Sequence, residues 1–155
     1  MASVTLLIGS KSDTEAVRPA LQALERFGVE CRPVICSAHR APERLRQVVH
    51  EAEESGTQVF IAGAGLAAAL PGAVAGLTHR PVIGLPLASG ALNGIDSLLS
   101  IVQMPPGVPV ATVGINAAAN AAYLAVQVLS LSDAALAERF ATWRREQSAR
   151  VDTFD

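Results

Sequence analysis

The chain has 155 residues, of which 50% are apolar and 4% aromatic, and its formal net charge is −2 at pH 7. This length is sufficient for a hydrophobic core, so we expect one domain over residues 1–155, in which 133–155 form a C-terminal helix and tail. The slightly acidic balance and the scattered arginines argue against a nucleic-acid partner. Prolines interrupt the uncharged segment 97–132, which argues against a membrane-spanning helix there.

The first residues lead directly into an apolar run without a basic segment, so we expect no signal peptide and a cytoplasmic protein. Cys31 and Cys36 lie on one predicted strand, about 16 Å apart, which is too far for a disulfide. We therefore expect two reduced, buried thiols. The scattered His39, His50 and His79 do not have the spacing of metal ligands, so we expect no metal site.

Apolar runs and turn residues alternate along the chain and predict both strands and helices. The predicted strands span 4–8, 29–36, 59–62, 82–85 and 110–115. Helices are predicted over 13–27 and 42–55, from 66 onward, and over 95–104, 117–131 and 134–148. Ser12 and Glu15 have the spacing of a capping box at the start of the first helix. This alternation predicts an α/β fold, a three-layer α/β/α sandwich around a doubly wound parallel sheet.

Ligands of such folds bind beyond the carboxyl ends of the strands. This rule brings four separate segments to one edge of the sheet. They are 9–13, 37–40, 63–66 and 86–90. We therefore look for the site among their polar and small residues.

The first of these segments combines flexible backbone with hydroxyl, ammonium and carboxylate groups at a helix N-terminus. Free amides and the helix dipole favour an anion there, so Ser10 and Ser12 fit a phosphate and Asp13 fits ribose hydroxyls. Ser12 and Asp13 are equally ordinary helix caps, and the segment alone does not decide between these two readings. It matches neither a dinucleotide-binding nor a P-loop pattern.

The second segment places Ser37, His39 and Arg40 just after a strand. An imidazole gains and loses a proton near neutral pH, and a guanidinium binds phosphate with two parallel donors. His39 is thus a candidate acid/base, the alternative being a polar loop without a catalytic role. In the third segment, Gly63, Ala64, Gly65 and Leu66 would let a ligand approach the backbone closely, or would only form a tight turn.

Five motifs occur in order along the chain. They are GSKSD at 9–13, SAHR at 37–40, IAGAG at 61–65, LPG at 70–72 and DSLLSIVQMP at 96–105. Together, over about residues 3–131, they resemble the PurE family of purine biosynthesis. The resemblance implies a flavodoxin-like sandwich that assembles as a homo-octamer and needs no metal, biotin or ATP. It implies a mutase that converts N5-carboxyaminoimidazole ribonucleotide to 4-carboxyaminoimidazole ribonucleotide.

The same resemblance implies roles for individual residues. Ser10, Asp13 and Arg40 would bind the ribonucleotide, with Ser12 and Ser37 helping at the phosphate. His39 would be the acid/base. In the reaction as the family performs it, CO₂ leaves N5 and is captured by ring carbon C4, which then loses its proton. Gly63, Ala64, Gly65 and Leu66 would complete the substrate-binding residues.

Residues 63–72 read GAGLAAALPG, whereas the mutase branch of the family usually has GAGGAAHLPG. Leu66 therefore replaces a glycine and Ala69 replaces a histidine. The sister branch, which carboxylates aminoimidazole ribonucleotide directly with CO₂, also lacks that histidine, but it typically has Arg-Ser-Asn in this loop and Ser-Ala-His-Lys earlier. This chain has neither.

We therefore favour the mutase. The alternatives are direct carboxylation, a PurE-like paralogue with another ligand, and a non-catalytic nucleotide-binding assembly. A flavin-binding protein would need aromatic residues at the predicted edge, whereas Tyr123 and Trp143 lie in late helices.

Overall fold

The computed structural model describes residues 3–151, which form one five-stranded sheet flanked by helices. The strands are β1 (Val4–Ile8), β2 (Cys31–Ile35), β3 (Val59–Gly65), β4 (Val82–Leu87) and β5 (Ala111–Thr112). They are arranged in the order β2-β1-β3-β4-β5, and every neighbouring pair is parallel. Nearly all residues of β1, β3 and β4 are buried, as expected for parallel strands covered on both faces.

The connections between strands are helical, and a last helix follows α5. The helices are α1 (Thr14–Arg26), α2 (Pro42–Glu54), α3 (Ala69–Ala75), α4 (Ile95–Val102), α5 (Ala118–Ser130) and α6 (Ala134–Val151). A short 3₁₀ turn, Lys11–Asp13, precedes α1. The predicted C-terminal helix is therefore present, and residues 152–155 of the predicted tail lie outside the described part of the chain.

Two hydrophobic clusters cover the two faces of the sheet. Leu6 and Ile61 point to the face packed by α1 and α5, whereas Leu7, Phe60 and Ala62 point to the face packed by α2, α3 and α4. Alternate residues of a strand face opposite sides, so β1 and β3 contribute to both clusters. The predicted three-layer α/β/α sandwich is thereby confirmed.

Three predicted details are wrong for identifiable reasons. Ser12 lies inside the 3₁₀ turn rather than at the N-cap of α1, so it does not form the capping box with Glu15. The third helix begins at Ala69 instead of residue 66, because left-handed residues interrupt the chain after β3. β5 has only two residues, Ala111–Thr112, although the amide of Val113 still donates to the carbonyl of Gly84 at 3.1 Å.

α6 packs on α1 and α5 through four aromatic residues. Phe27 lies 5.7 Å from Trp143 between ring centroids, and Tyr123 lies 4.4 Å from Trp143, with Phe140 beside all three. We refer to these four residues as the aromatic cluster. Because Phe27 follows α1, the cluster lies at the amino end of the sheet, opposite the edge where the strands end.

Both cysteines are free thiols, but only Cys36 is buried as predicted. Cys31 is partly exposed, because β2 is the edge strand of the sheet. Burial raises the pKa of the Cys31 thiol to about 11, an effect partly offset by a hydrogen bond to the backbone of Leu6. Among residues 3–151, no helix is both long and apolar enough to cross a lipid bilayer.

Candidate active site

A pocket of about 360 Å³ lies at the carboxyl ends of β1, β2, β3 and β4. β1 is hydrogen-bonded to β2 on one side and to β3 on the other. The chain leaves β1 towards β2, and it leaves β3 in the opposite direction, towards β4. The gap at such a reversal is where doubly wound folds bind ligands. Its lining residues are Gly9, Ser10, Ser12, Asp13, Ser37, Ala38, His39, Ala64, Gly65, Leu66, Ala67, Ala68, Ala69, Leu70 and Ser89.

The loop after β1 supplies hydroxyl and carboxylate groups to the pocket. The Ser12 hydroxyl donates to Ser10 Oγ at 2.9 Å, and the Ser12 amide approaches the same oxygen at 3.4 Å. Ser10 thereby caps the 3₁₀ turn that leads into α1. The capping hydroxyl is therefore that of Ser10, not of Ser12 as one interpretation of the sequence had it, and Asp13 precedes α1 without a side-chain capping hydrogen bond. All three side chains line the pocket.

Asp13 is the carboxylate of this loop and is partly buried. Burial raises its pKa, while hydrogen bonds involving the Ser10 backbone and the Ser12 side chain act in the opposite direction. A desolvated carboxylate that already has donors nearby is a good acceptor for further hydroxyl groups. This arrangement suits recognition of a sugar diol.

The loop after β2 is held against the loop after β1 by Arg40. Its amide and its Nε–H both donate to Ser37 Oγ, at 3.2 and 3.3 Å, and its Nη2 donates to the carbonyl oxygen of Gly9 at 3.3 Å. Arg40 does not line the pocket itself. Its guanidinium joins the two loops, and because only two of its five N–H donors are used in these bonds, others remain for a ligand.

His39 lies between Ala38 and Arg40 in the chain; it is exposed and lines the pocket. Its side chain forms no hydrogen bond to any residue within 3–151, so both ring nitrogens are available to a ligand. The turn that carries it is fixed by the amide of Ala41, which donates to the carbonyl oxygen of Ser37 at 3.0 Å. An accessible imidazole on a fixed turn is suited to proton transfer.

The loop after β3 forms the apolar side of the pocket. A methyl group at Gly65 would lie 3.2 Å from Ser89 Cβ and 3.3 Å from the Leu87 carbonyl oxygen, so glycine permits a close approach of two loops there. Ala64, Gly65 and Leu66 line the pocket. Gly63 does not, because its Cα faces the side chains of Ile8, Leu85 and Val17 in the core.

Sequence analysis missed two polar residues near the pocket. Ser89 lines it, within the segment 86–90 that the strand-end rule selected, but a serine there carries no chemical signature of its own. Asn116 supports this segment, since its Oδ1 accepts from the amide of Ala88 at 2.9 Å and its amide donates to the carbonyl of Pro86 at 2.8 Å. Only the fold brings Asn116 to this position.

The remaining histidines lie elsewhere. His50 is exposed on α2, with Nε2 3.3 Å from Glu54 Oε1, and His79 is exposed after α3. Within residues 3–151, no three His, Cys, Asp or Glu residues are close enough together to hold a metal ion. Tyr123 and Trp143 belong to the aromatic cluster and do not line the pocket.

Comparison with known proteins agrees with this geometry. The AIR carboxylase family matches residues 3–150. The chain is 52% identical over 146 residues to the N5-carboxyaminoimidazole ribonucleotide mutase of Pyrococcus abyssi, covering 94% of this chain and 84% of the relative. It is 47% identical over 152 residues to the mutase of Escherichia coli K12, covering 97% and 90% of the two chains.

Solved structures give the same result. The crystal structure of Treponema denticola PurE superimposes with a TM-score of 0.88 at 30% sequence identity, covering 96% of this chain and 92% of that chain. The family match therefore extends over almost the whole length, including every loop that lines the pocket. The resemblance predicted from the five motifs is confirmed, and the chain belongs to the AIR carboxylase, or PurE, family.

Proposed function

We propose that this protein is an N5-carboxyaminoimidazole ribonucleotide mutase, an isomerase of purine biosynthesis. The observation that carries the proposal is the meeting of His39 with the hydroxyls of Ser10, Ser12 and Ser37 and the carboxylate of Asp13 in one pocket. An isolated imidazole beside an anion-binding loop matches a reaction that moves one carboxyl group and one proton on a phosphorylated nucleoside. Relatives that bear the mutase name are about half identical over nearly the whole chain.

In this proposal the polar side of the pocket binds the ribonucleotide. The hydroxyls of Ser10, Ser12 and Ser37 and the free donors of Arg40 bind the phosphate, and Asp13 accepts from the ribose hydroxyls. The small residues Ala64 and Gly65 let the aminoimidazole ring lie against the backbone, with Leu66 beside it. Gly63 supports this loop from the core rather than touching the ligand.

The proposed reaction moves one carboxyl group and one proton within the substrate. The bond between N5 and the carboxyl carbon breaks, its electron pair stays on nitrogen, and CO₂ is released beside the ring. Ring carbon C4 then attacks CO₂ and forms the new carbon–carbon bond. His39 takes the proton from C4 and returns one to N5, so no net proton is consumed. Holding the ring and CO₂ together is the main contribution of the protein.

We propose a homo-octamer in the cytoplasm. Ile95, Leu99 and Val102 share one side of α4 and are each about half exposed, an apolar surface that favours contact with further copies. The Oδ1 atom of Asp96 is shielded from solvent and has no hydrogen-bond partner within residues 3–151, which suits a donor from a neighbouring subunit. In analytical ultracentrifugation we expect a molar mass eight times that of one chain.

The test is a direct assay of the purified protein with two substrates. One reaction contains N5-carboxyaminoimidazole ribonucleotide, and the other contains aminoimidazole ribonucleotide with bicarbonate. We expect turnover in the first, and a loss of about 10²- to 10⁴-fold in kcat for His39→Asn with nucleotide binding retained. His50→Asn, an exposed histidine on α2, is the matched control and should behave as the wild type.

Each other outcome has a defined meaning. Turnover of only the second substrate would establish the direct carboxylase instead of the mutase. Binding of the nucleotide without turnover of either substrate would establish a paralogue or a non-catalytic assembly.

A further inference from the structure

Leu66 has a backbone conformation that leucine disfavours. Its φ is +53°, in the left-handed region, where the side chain of an L-residue crowds the backbone. Ala68, two residues later, has φ +30°. Such conformations persist where the surrounding structure imposes them, and they concentrate at ligand sites.

Burial of the Leu66 side chain does little to compensate for this backbone strain. It is 53% exposed, whereas Ala68 and Leu70 in the same loop are buried at 4% and 3%. The exposed part of Leu66 lines the pocket. The protein therefore holds a large apolar group in a strained conformation at a surface that a ligand would cover.

Gly90, in the loop after β4, makes room for this side chain. A methyl group at Gly90 would lie 2.9 Å from Leu66 Cδ2, closer than carbon atoms approach without displacement. Gly90 also has positive φ, at +67°. The leucine therefore spans from the loop after β3 to the loop after β4 and closes the gap between them.

The pocket has two chemically different sides. Ser10, Ser12, Asp13 and His39 form the polar side, and the other side consists mainly of small residues, with Leu66 as its largest exposed apolar group. CO₂ is small, uncharged and without a dipole, so an apolar surface holds it without a hydrogen bond. Such a surface also excludes the water that would carry CO₂ away.

We propose that Leu66 forms the apolar wall that retains CO₂ beside His39 between cleavage of the N5 carboxylate and carboxylation of C4. This role rests on the proposed mutase activity. Leu66 takes no part in making or breaking bonds. It changes only the partition of released CO₂ between attack by C4, which completes the isomerisation, and escape to solvent, which leaves aminoimidazole ribonucleotide.

The partition is measured with substrate whose N5 carboxyl carbon is ¹³C, in buffer containing unlabelled bicarbonate. Mass spectrometry of the product gives the fraction of turnovers in which the original carbon was lost and replaced, and a separate assay gives released aminoimidazole ribonucleotide. Wild-type protein should retain the label. Leu66→Gly restores the residue usual in the mutase branch but leaves Ala69, which also lines the pocket, in place of the histidine that accompanies that glycine. We expect loss of the original carbon to increase about tenfold in this variant relative to wild type, corrected for decarboxylation without protein.

Two further variants separate this role from folding. Leu66→Asn replaces the apolar group by a polar one in a residue that tolerates left-handed backbone, and it should lose CO₂ as Leu66→Gly does. Leu131→Ala removes another exposed leucine, 89% accessible at the end of α5, and should retain the label. Thermal unfolding of both Leu66 variants should occur at or above the wild-type temperature, because strain is relieved.

The outcomes distinguish this inference from the proposed function. If wild-type protein does not convert the labelled substrate, the mutase proposal fails. If wild type converts it and the Leu66 variants turn over more slowly with unchanged label retention, Leu66 only shapes the loop, and the retention role is overturned. Increased loss of label in Leu131→Ala would overturn it as well.

Discussion

The two ends of the sheet form left-handed turns with different residues. At the amino end, the turns that precede β2, β3 and β5 use Gly28, Gly56 and Gly107, with φ of +67°, +96° and +94°. At the carboxyl end, Gly90 and Gly94 also have positive φ, at +67° and +91°, but so do residues with side chains in the loops after β3, β4 and β5. They are Leu66, Ala68, Asn93 and Asn116.

Glycine has no side chain to crowd in a left-handed turn, so the amino end is built without strain. At the carboxyl end the same conformation is imposed on residues that resist it, most strongly on Leu66 and Ala68, because asparagine tolerates it better. The pocket lies at that end. The contrast indicates that the amino end is arranged for stability, while the carboxyl end accepts strain to place side chains around a ligand.

Substituting Arg40 should produce the largest effect on nucleotide affinity at the carboxyl end. Arg40→Met removes the guanidinium that joins the two loops and the donors assigned to the phosphate, so we expect nucleotide affinity to fall about 10- to 100-fold, the value of a hydrogen bond to a charged group. Because Arg40 is exposed, the unfolding temperature should change little. Isothermal titration calorimetry and thermal denaturation measure the two quantities.

Arg46→Met is the control for this change, since Arg46 is an exposed arginine on α2 that pairs with Glu43 at 3.6 Å. It should bind nucleotide as the wild type does. Equal losses of affinity in the two variants would indicate that total charge, not a bond at the pocket edge, determines binding.

The middle of the sheet should respond to an added methyl group with a loss of stability rather than of function. In Gly84→Ala the new Cβ would lie 2.3 Å from Ile101 Cγ2 and 2.8 Å from Val110 Cγ1, both in buried side chains. We expect the free energy of unfolding to fall by about 1–3 kcal/mol, measured by urea denaturation followed by far-ultraviolet circular dichroism.

Gly114→Ala is the matched control for Gly84, because its Cβ would meet only Ala117 Cβ at 3.6 Å, an ordinary contact. It should be nearly neutral. If Gly84→Ala were equally neutral, β4 would not be packed as tightly as the structure has it.

Leu66→Gly removes a side chain from a left-handed position, and Gly28→Ala adds one to such a position at the amino end. Gly28 has open space around its Cα, so Gly28→Ala tests backbone strain alone. We expect a loss of about 1 kcal/mol in the free energy of unfolding, with no change in KM. Gly76→Ala, at a position with φ −73° where alanine fits, should be neutral or slightly stabilising. A lower nucleotide affinity in Gly28→Ala would contradict the separation of the two ends.

The smallest effect concerns the Cys31 thiol at the start of β2. With a pKa of about 11, against an ordinary value of 9.0, the folded thiol should contain about 100-fold less thiolate at pH 8 and react correspondingly more slowly with iodoacetamide than in urea. Because folding raises this pKa, the contribution of the Cys31 thiol to the free energy of unfolding is complete below pH 9. That contribution is lost as the pH rises towards 11, because the unfolded thiol ionises more readily than the folded one. Labelling of a Cys36→Ser variant isolates Cys31, and equal rates in the folded and unfolded chain would refute this.

Much of this architecture follows from local sequence. The apolar runs, the terminating Gly28 and Gly56 and the N-terminal Pro42 determine where strands and helices alternate, and that alternation determines a parallel sheet with one ligand-binding edge. His39 and the serines were found because they follow strands. The family resemblance then assigned their chemistry, and the comparisons confirmed the family.

The errors arise where tertiary contacts override local preference. A leucine gives no indication of left-handed backbone. The third helix was therefore predicted to begin at Leu66, whereas it begins at Ala69. The capping pattern of Ser12 and Glu15 was outweighed by the 3₁₀ turn that directs Ser12 towards Ser10. Asn116 was missed because its bond to the amide of Ala88 joins residues far apart in the chain.

The aromatic cluster has a spectroscopic consequence. Trp143 is the only tryptophan of the chain and Tyr123 the only tyrosine, and their rings lie 4.4 Å apart between centroids at the end of the sheet away from the pocket. Intrinsic fluorescence therefore reports the attachment of α6 to α1 and α5, with tyrosine emission transferred to the indole while the helix stays docked. A tryptophan introduced near the pocket would add a second signal, so that detachment of the last helix and occupation of the site could be followed separately in one sample.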